Sequence, residues 1–279
     1  MTLEVLPAGL FGLLIGSFLN VCIYRWPRDM SVVKPRSHCP GCDTQIAAYD
    51  NIPLVSFLLL RGKCRHCGEP IGWRYPAVEL LTGLSFAYFV SMLGFGPIAG
   101  KYCLFSAILI GLVFADLETL ILPDEFTIGG MYLGLGLSFL ISVPDSSFQM
   151  LTTLAGWHWG PRWLSFGEAA LGGFLPAGLL WLGGWLFERI RHKEGLGFGD
   201  VKMIAMVGAF LGLRGCLLTI VLGSVLGSAI GMAYIAITRK NASEYQLPFA
   251  TFLGIGAFLA AIYGQNMIHW YEATMLDAR

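Results

Sequence analysis

Two aspartates stand at the edges of apolar stretches. Asp200 follows alternating glycines in Gly195-Leu196-Gly197-Phe198-Gly199-Asp200-Val201-Lys202. Asp116 lies in Ala115-Asp116-Leu117-Glu118-Thr119-Leu120-Ile121-Leu122-Pro123-Asp124. A carboxylate at membrane depth is costly and faces a bundle interior or a wet cavity. Two close carboxylates that share a proton split their pKa values, so one can act as base on water while the other, protonated, polarises a carbonyl. That is aspartic peptide hydrolysis. The same residues also suit a helix-packing pair, an ion pair with Lys202, or the proton relay of a transporter.

The second constellation is Cys39-Pro40-Gly41-Cys42 and Cys64-Arg65-His66-Cys67, with 21 residues between the pairs. Such knuckles hold tetrahedral zinc through four thiolates. Cys39, Cys42, Cys64 and Cys67 are therefore expected to bind a structural zinc, with Lys63 and Arg65 offsetting its negative charge. The metal would hold a polar segment that has little core of its own. A thiol-redox pair or free thiols is the competing reading, against which a reducing compartment argues. With four thiolates present, His38 and His66 are expected to be bystanders. Cys22, Cys103 and Cys216 sit singly in apolar runs and read as small packed hydrophobes.

The elements that must position these groups follow from composition. Of 279 residues 56% are hydrophobic and 13% charged, about half the charge of a soluble domain. The fold class is an all-α polytopic membrane protein with about eight spans. Apolar runs cover 3–24, 76–93, 103–122, 126–143, 169–187, 201–213, 216–237 and 248–268. The first lacks a basic leader and a cleavage site, so it reads as a retained helix. The organisation is then a first transmembrane helix (1–24), a cytoplasmic four-cysteine zinc segment (25–75) and a seven-helix core (76–279). Within the zinc segment, 52–60 is apolar but too short to span.

Orientation follows from the basic residues. Eight spans put fourteen of the 18 Lys and Arg residues on one side, which is the cytoplasmic side, and leave the N-terminus outside. Asp116 and Asp200 then lie at cytoplasmic span ends. Run 201–213 would rise only about 20 Å against a core of about 30 Å, so the membrane reaches back past Asp200. By the same reckoning Asp116 is submerged by a turn or two. The glycines before Asp200 allow irregular, close backbone at that depth. The loop 144–166, with Trp157, Trp159 and Trp163, falls on the far side and suits an interfacial aromatic belt.

GLGFGDVK together with ADLETLILPDEFT resembles the type IV prepilin leader peptidase family, membrane aspartic peptidases of the GxGD type. Further matches are Gly16-Ser17-Phe18-Leu19-Asn20-Val21, Tyr24-Arg25-Trp26-Pro27, the stretch from Asn51-Ile52-Pro53 to Cys67, and Arg74-Tyr75-Pro76-Ala77-Val78-Glu79. The motifs fall in the family's order over nearly the whole chain. The resemblance implies that Asp116 and Asp200 are the catalytic pair. It implies cleavage of the short basic leader of prepilins or pseudopilins, after a glycine, at the cytoplasmic face of the bacterial inner membrane. It also implies N-methylation of the new N-terminal residue with S-adenosylmethionine, for a type IV pilus or a type II secretion system. A peptidase without methyl transfer is the nearest rival; a proton-coupled transporter is the rival from another class. No nucleic-acid partner is expected. Where relatives carry a PFGPF-like string this chain has Leu247-Pro248-Phe249-Ala250-Thr251-Phe252.

Smaller signals complete the reading. Glu118, Asp124 and Glu125 make an acidic stretch that either attracts a basic peptide or is simply solvated. Lys202 is expected to snorkel to the headgroups. Asn20 reads as an interhelical hydrogen-bonder, Glu79 as a packing or cavity group with a substrate role as the alternative, and Gly223, Gly227 and Gly231 as a close-packing face.

Overall fold

The computed structural model of the chain describes residues 3–192, 197–238 and 248–277. Lys193, Gly195, Leu196, Arg239, Lys240, Leu247 and Arg279, which enter the sequence reading, lie outside the described residues. The described residues form helices, turns and two isolated β-bridges, with no strand. Two compact units divide the chain, Met1–Thr119 and Leu120–Arg279.

The first unit contains α1 (Val5–Arg25), α2 (Val55–Leu59), α3 (Arg74–Leu93) and α4 (Pro97–Thr119). Helices α1 and α3 pack backbone to backbone. A Cβ on Gly12 would lie 2.7 Å from the Thr82 carbonyl oxygen, and one on Gly16 would lie 2.7 Å from Glu79 Cα. Small residues permit this approach where lipid gives helices no hydrophobic reason to associate. Asn20 Nδ2 donates to the Tyr75 carbonyl at 3.0 Å, the interhelical bond expected of it. Helix α4 buries Phe105, Leu109 and Leu112 and meets α3 through the Ser85 and Ser106 hydroxyls, 3.0 Å apart. After α1 the chain folds back because buried Arg25 donates to the carbonyls of Ser31 at 2.7 Å and Pro35 at 2.6 Å. The outer face of α1 exposes Leu6, Leu10, Leu14 and Phe18, a surface suited to lipid.

The second unit contains α5 (Asp124–Ser138), α6 (Ser147–Leu154), α7 (Pro161–Arg191), α8 (Phe198–Thr238) and α9 (Phe249–Asp277). Helix α8 has 41 residues and breaks at Gly212, whose φ of 78° and ψ of −176° are not helical. A side chain there is doubly opposed, since a Cβ would also lie 2.6 Å from Asp145 Cβ. The expected runs 201–213 and 216–237 are the two arms of this bent element. Asp145 caps the second arm by accepting the Arg214 N–H at 2.9 Å. The first arm lies against α7 at Gly208, where a Cβ would come 1.9 Å from the Gly172 carbonyl oxygen. Gly223 and Gly227 face Leu253 and Phe252 of α9, the packing role expected of them.

Among the described residues, six helices are long and apolar enough to cross a membrane: Val5–Arg28, Arg74–Leu93, Pro97–Thr119, Pro161–Arg191, Phe198–Thr238 and Phe249–Thr274. Helix α5, expected over 126–143, has only 15 residues and stops at Ser138. The stretch 144–166, expected as a loop, holds α6 and the start of α7. Glu168 of α7 builds it, accepting the Phe148 and Gln149 N–H groups at 2.8 and 2.9 Å and so capping α6. Trp159 and Trp163 meet Phe148, Phe139 and Phe166 edge to face.

Candidate active site and metal centre

The two cysteine loops share one backbone pattern. In the first, the Cys39 N–H donates to the Thr44 carbonyl at 3.0 Å, the Asp43 N–H to that of Cys39 at 2.8 Å, and the Ile46 N–H to that of Ser37 at 2.9 Å. In the second, Cys64 donates to Glu69 at 2.8 Å, Gly68 to Cys64 at 3.0 Å, and Ile71 to Gly62 at 2.7 Å. The offsets from the first cysteine are identical. Asp43 and Gly68 both take the left-handed conformation, at φ 56° and 75°, which turns the chain after each second cysteine. A single antiparallel bridge closes each loop, His38 with Gln45 and Lys63 with Pro70.

These loops bring all four expected ligands together. The four sulfurs lie within 4.8 Å of one another. Cys39 and Cys67 Sγ are 3.7 Å apart, and Cys42 and Cys64 Sγ are 4.0 Å apart. A tetrahedral thiolate site with metal–sulfur bonds of about 2.3 Å has edges of about 3.8 Å, so the set fits a metal ion. Backbone N–H groups of Cys67 and His66 hold the Cys64 thiol down to about 6. Cys67 accepts the Glu69 N–H, yet desolvation and the neighbouring thiols push it up to about 12. A cation among the sulfurs would displace that proton. Arg65 turns to Asp50, donating from Nη2 at 2.6 Å and from Nε at 2.9 Å. His38 faces the Arg36 carbonyl and the Asp43 carboxylate, so it stands outside the sulfur cluster.

Asp116 lies in the last turn of α4 and is 5% exposed. Two residues on, Glu118 accepts a hydrogen bond from Arg74 Nη1, which ties the end of α4 to the start of α3. Asp200 is half-buried in the first turn of α8 and donates its N–H to the Gly197 carbonyl at 3.1 Å. Its carboxylate lies over Gly197, where a Cβ would be 3.3 Å from Oδ2. Two residues on, Lys202 pairs with Asp124 at the start of α5. Lys202, expected to snorkel, has a carboxylate partner within its own unit. Of the acidic stretch, Glu118 and Asp124 each hold a cation, while Glu125 is exposed. The sequence reading missed both ion pairs. Opposite charge at helix ends was the available signal, but their distance along the chain hid the partners.

The first unit also holds a cavity of about 280 Å³ lined by residues of α1, α3 and the cysteine segment, among them Asn20, Tyr24, Phe57, Tyr75 and Glu79.

Comparison with known proteins divides the chain where the chemistry divides. The family described as "Bacterial Peptidase A24 N-terminal domain" matches residues 10–93, which carry all four clustered cysteines. The family described as "Type IV leader peptidase family" matches residues 103–232, which carry both aspartates. Proteins called "Prepilin leader peptidase/N-methyltransferase" align with nearly the whole chain. That of Stutzerimonas stutzeri is 36% identical over 96% of this chain and 93% of its own length. Those of Aeromonas hydrophila and Pseudomonas aeruginosa are each 33% identical with the same coverage. The chain belongs to the type IV leader peptidase family. It is a multi-pass membrane protein of that family, with its long apolar helices as the crossing elements. No solved structure matches it.

Proposed function

We propose that this chain is a membrane aspartic endopeptidase that removes the leader peptide of prepilins or pseudopilins and N-methylates the new N-terminal residue. The observation that carries the reading is the extent of the likeness: relatives named for both activities align with 96% of the chain. Asp116 and Asp200 are the catalytic pair, each on a motif of the family. One, ionised, takes a proton from the attacking water; the other, protonated, polarises the scissile carbonyl. Water adds directly and no covalent intermediate forms. Asparagine at either position keeps shape and removes the acid. Asp116→Asn and Asp200→Asn should each abolish leader cleavage in a gel-shift assay on a prepilin while the protein still inserts. Normal cleavage by either variant would sink the pair.

The metal is zinc, held by Cys39, Cys42, Cys64 and Cys67; four mutually close thiolates in a tetrahedral spacing support that choice. S-adenosylmethionine supplies the electrophilic methyl group when bound. The chain divides functionally into a first transmembrane helix (1–24), the zinc segment (25–75) and a membrane core (76–279). It crosses the bacterial inner membrane eight times. A straight 41-residue helix would measure about 60 Å, twice the hydrocarbon core, and the break at Gly212 supports two crossings in α8. Helix α5 supplies the remaining one. The basic residues flanking α1, α3 and α7 support a cytoplasmic active site. Mass analysis of a pilin N-terminus after treatment with the purified protein tests methylation separately from cleavage.

A further inference from the structure

Among the polar groups that line the cavity of the first unit, two buried acceptors are left unused by the hydrolytic reaction. Much of its wall is apolar, with Val21, Ile52, Leu54 and Phe57 among its lining. Asn20, 2% exposed, and Glu79, 8% exposed, both line it. They belong to α1 and α3 and are brought together where Gly16 meets the Glu79 backbone. Asn20 donates Nδ2 to the Gly16 carbonyl at 3.3 Å and to the Tyr75 carbonyl at 3.0 Å. Turning the amide over would set oxygen against oxygen, so the two carbonyls fix its orientation. Its Oδ1 is buried and accepts no hydrogen bond from any described residue. Glu79 Oε2 accepts the Leu54 N–H at 2.8 Å, and the Ser17 hydroxyl also hydrogen-bonds the carboxylate. No lysine or arginine pairs with it among the described residues.

Both groups are acceptors, and one is a buried carboxylate without a counter-charge. Such groups are costly to bury unpaired. Their complement is a small, positively charged, multiple donor. A primary ammonium has that charge and its three donors. We propose that Asn20 and Glu79 in the cavity bind an α-ammonium group during methyl transfer, an inference that rests on the methyltransferase reading above. Two participants carry such a group: the amino-acid end of the methyl donor, and the freed N-terminus of the trimmed pilin, which would pass one proton to the Glu79 carboxylate before its nitrogen takes the methyl group.

Equilibrium binding to the full-length protein in lipid nanodiscs separates these sources. One arm compares S-adenosylhomocysteine with its desamino counterpart. The other compares a synthetic mature-pilin N-terminal peptide with the same peptide N-acetylated. In one arm the free amine binds about tenfold tighter or more, and Glu79→Gln removes the preference. No preference in either arm, or one that Glu79→Gln leaves intact, overturns the proposal. Should Glu79→Gln not fold, Glu79→Asp decides. It keeps the charge and draws it back by one methylene, so the preference falls; an unchanged or larger preference overturns it. Failure here is distinct from failure of the function. Pilin left unmethylated by the wild-type enzyme removes methyl transfer itself, whereas methylated pilin with unaltered amine preference in Glu79→Gln removes only this site.

Discussion

Cys39 and Cys64 open two loops that follow one hydrogen-bond pattern, whereas Asp116 and Asp200 sit on helix ends that share none. Each cysteine loop closes within ten residues: the same three backbone bonds, the same left-handed turn after the second cysteine and one bridge. The sulfurs need only two such loops to meet. The aspartates are placed by contacts far apart in sequence. Asp116 is buried at the end of α4, beside a glutamate held by Arg74 of α3. Asp200 opens α8, where a helix favours negative charge, beside a lysine held by Asp124 of α5. The loop groups are fixed by local bonds and the helix groups by packing, so the two sites should fail independently and by different routes.

The largest expected effect is on chemistry alone. Asp116→Asn or Asp200→Asn should lower leader cleavage by at least about 10²–10⁴-fold, the usual worth of a positioned acid or base, with metal content unchanged by elemental analysis. Loss of metal in either variant would mean that the two regions are coupled. Next is packing. Gly208→Leu forces a side chain against the Gly172 carbonyl, 1.9 Å from its first carbon, and should cost about 3 kcal/mol. Thermal unfolding in detergent would read this, and wild-type stability would refute the close approach of α7 and α8.

Removing thiols should act in the other region. The double substitution Cys39→Ser, Cys64→Ser should abolish metal binding and expose 25–75 to protease, while cleavage falls less than in the aspartate variants. Acid should do the same reversibly. Cys64 is held well below the ordinary thiol value, at about 6, so its thiolate persists at neutral pH and gains a proton as the pH falls through about 6. Metal retention should therefore fall as acid protonates the sulfurs in competition with the metal, and be regained on neutralisation, as a chromogenic chelator would show. Retention that strong acid leaves unchanged would contradict thiolate ligation. The smallest effect concerns the helix-end ion pairs. Glu118→Gln leaves Arg74 without its partner and should cost about 0.2–1 kcal/mol, the range for solvent-accessible pairs.

How much was legible in advance follows from the same division. Spacing alone marked the four cysteines that cluster, because a CxxC loop is a local object. Hydropathy marked the long helices, because each must hide its backbone within itself. Their limits were less legible. Run 126–143 shrinks to α5, which ends at Ser138. The break expected near Arg214 falls at Gly212, where the backbone turns non-helical and Asp145 caps the next arm. Glu168 and Asp145, charges that build the stretch after α5, carried no sequence signal, since Glu168 meets backbone N–H groups and Asp145 meets a backbone N–H and a side chain 69 residues on. The ion pair of Lys202 was not legible because its carboxylate partner lies 78 residues away in sequence.

The sequence by itself determined the membrane class, the two acids at apolar edges and the four thiols in paired loops. These are set by composition and by spacing over a few residues, within which covalent geometry leaves little choice. Only the tertiary structure decided that the four sulfurs fall within 4.8 Å. It alone showed that Glu118 and Asp124 are paired, and that Asn20 and Glu79 line the same cavity. Those facts depend on which helix faces approach, and that is governed by glycine contacts and buried charge between residues far apart in the chain.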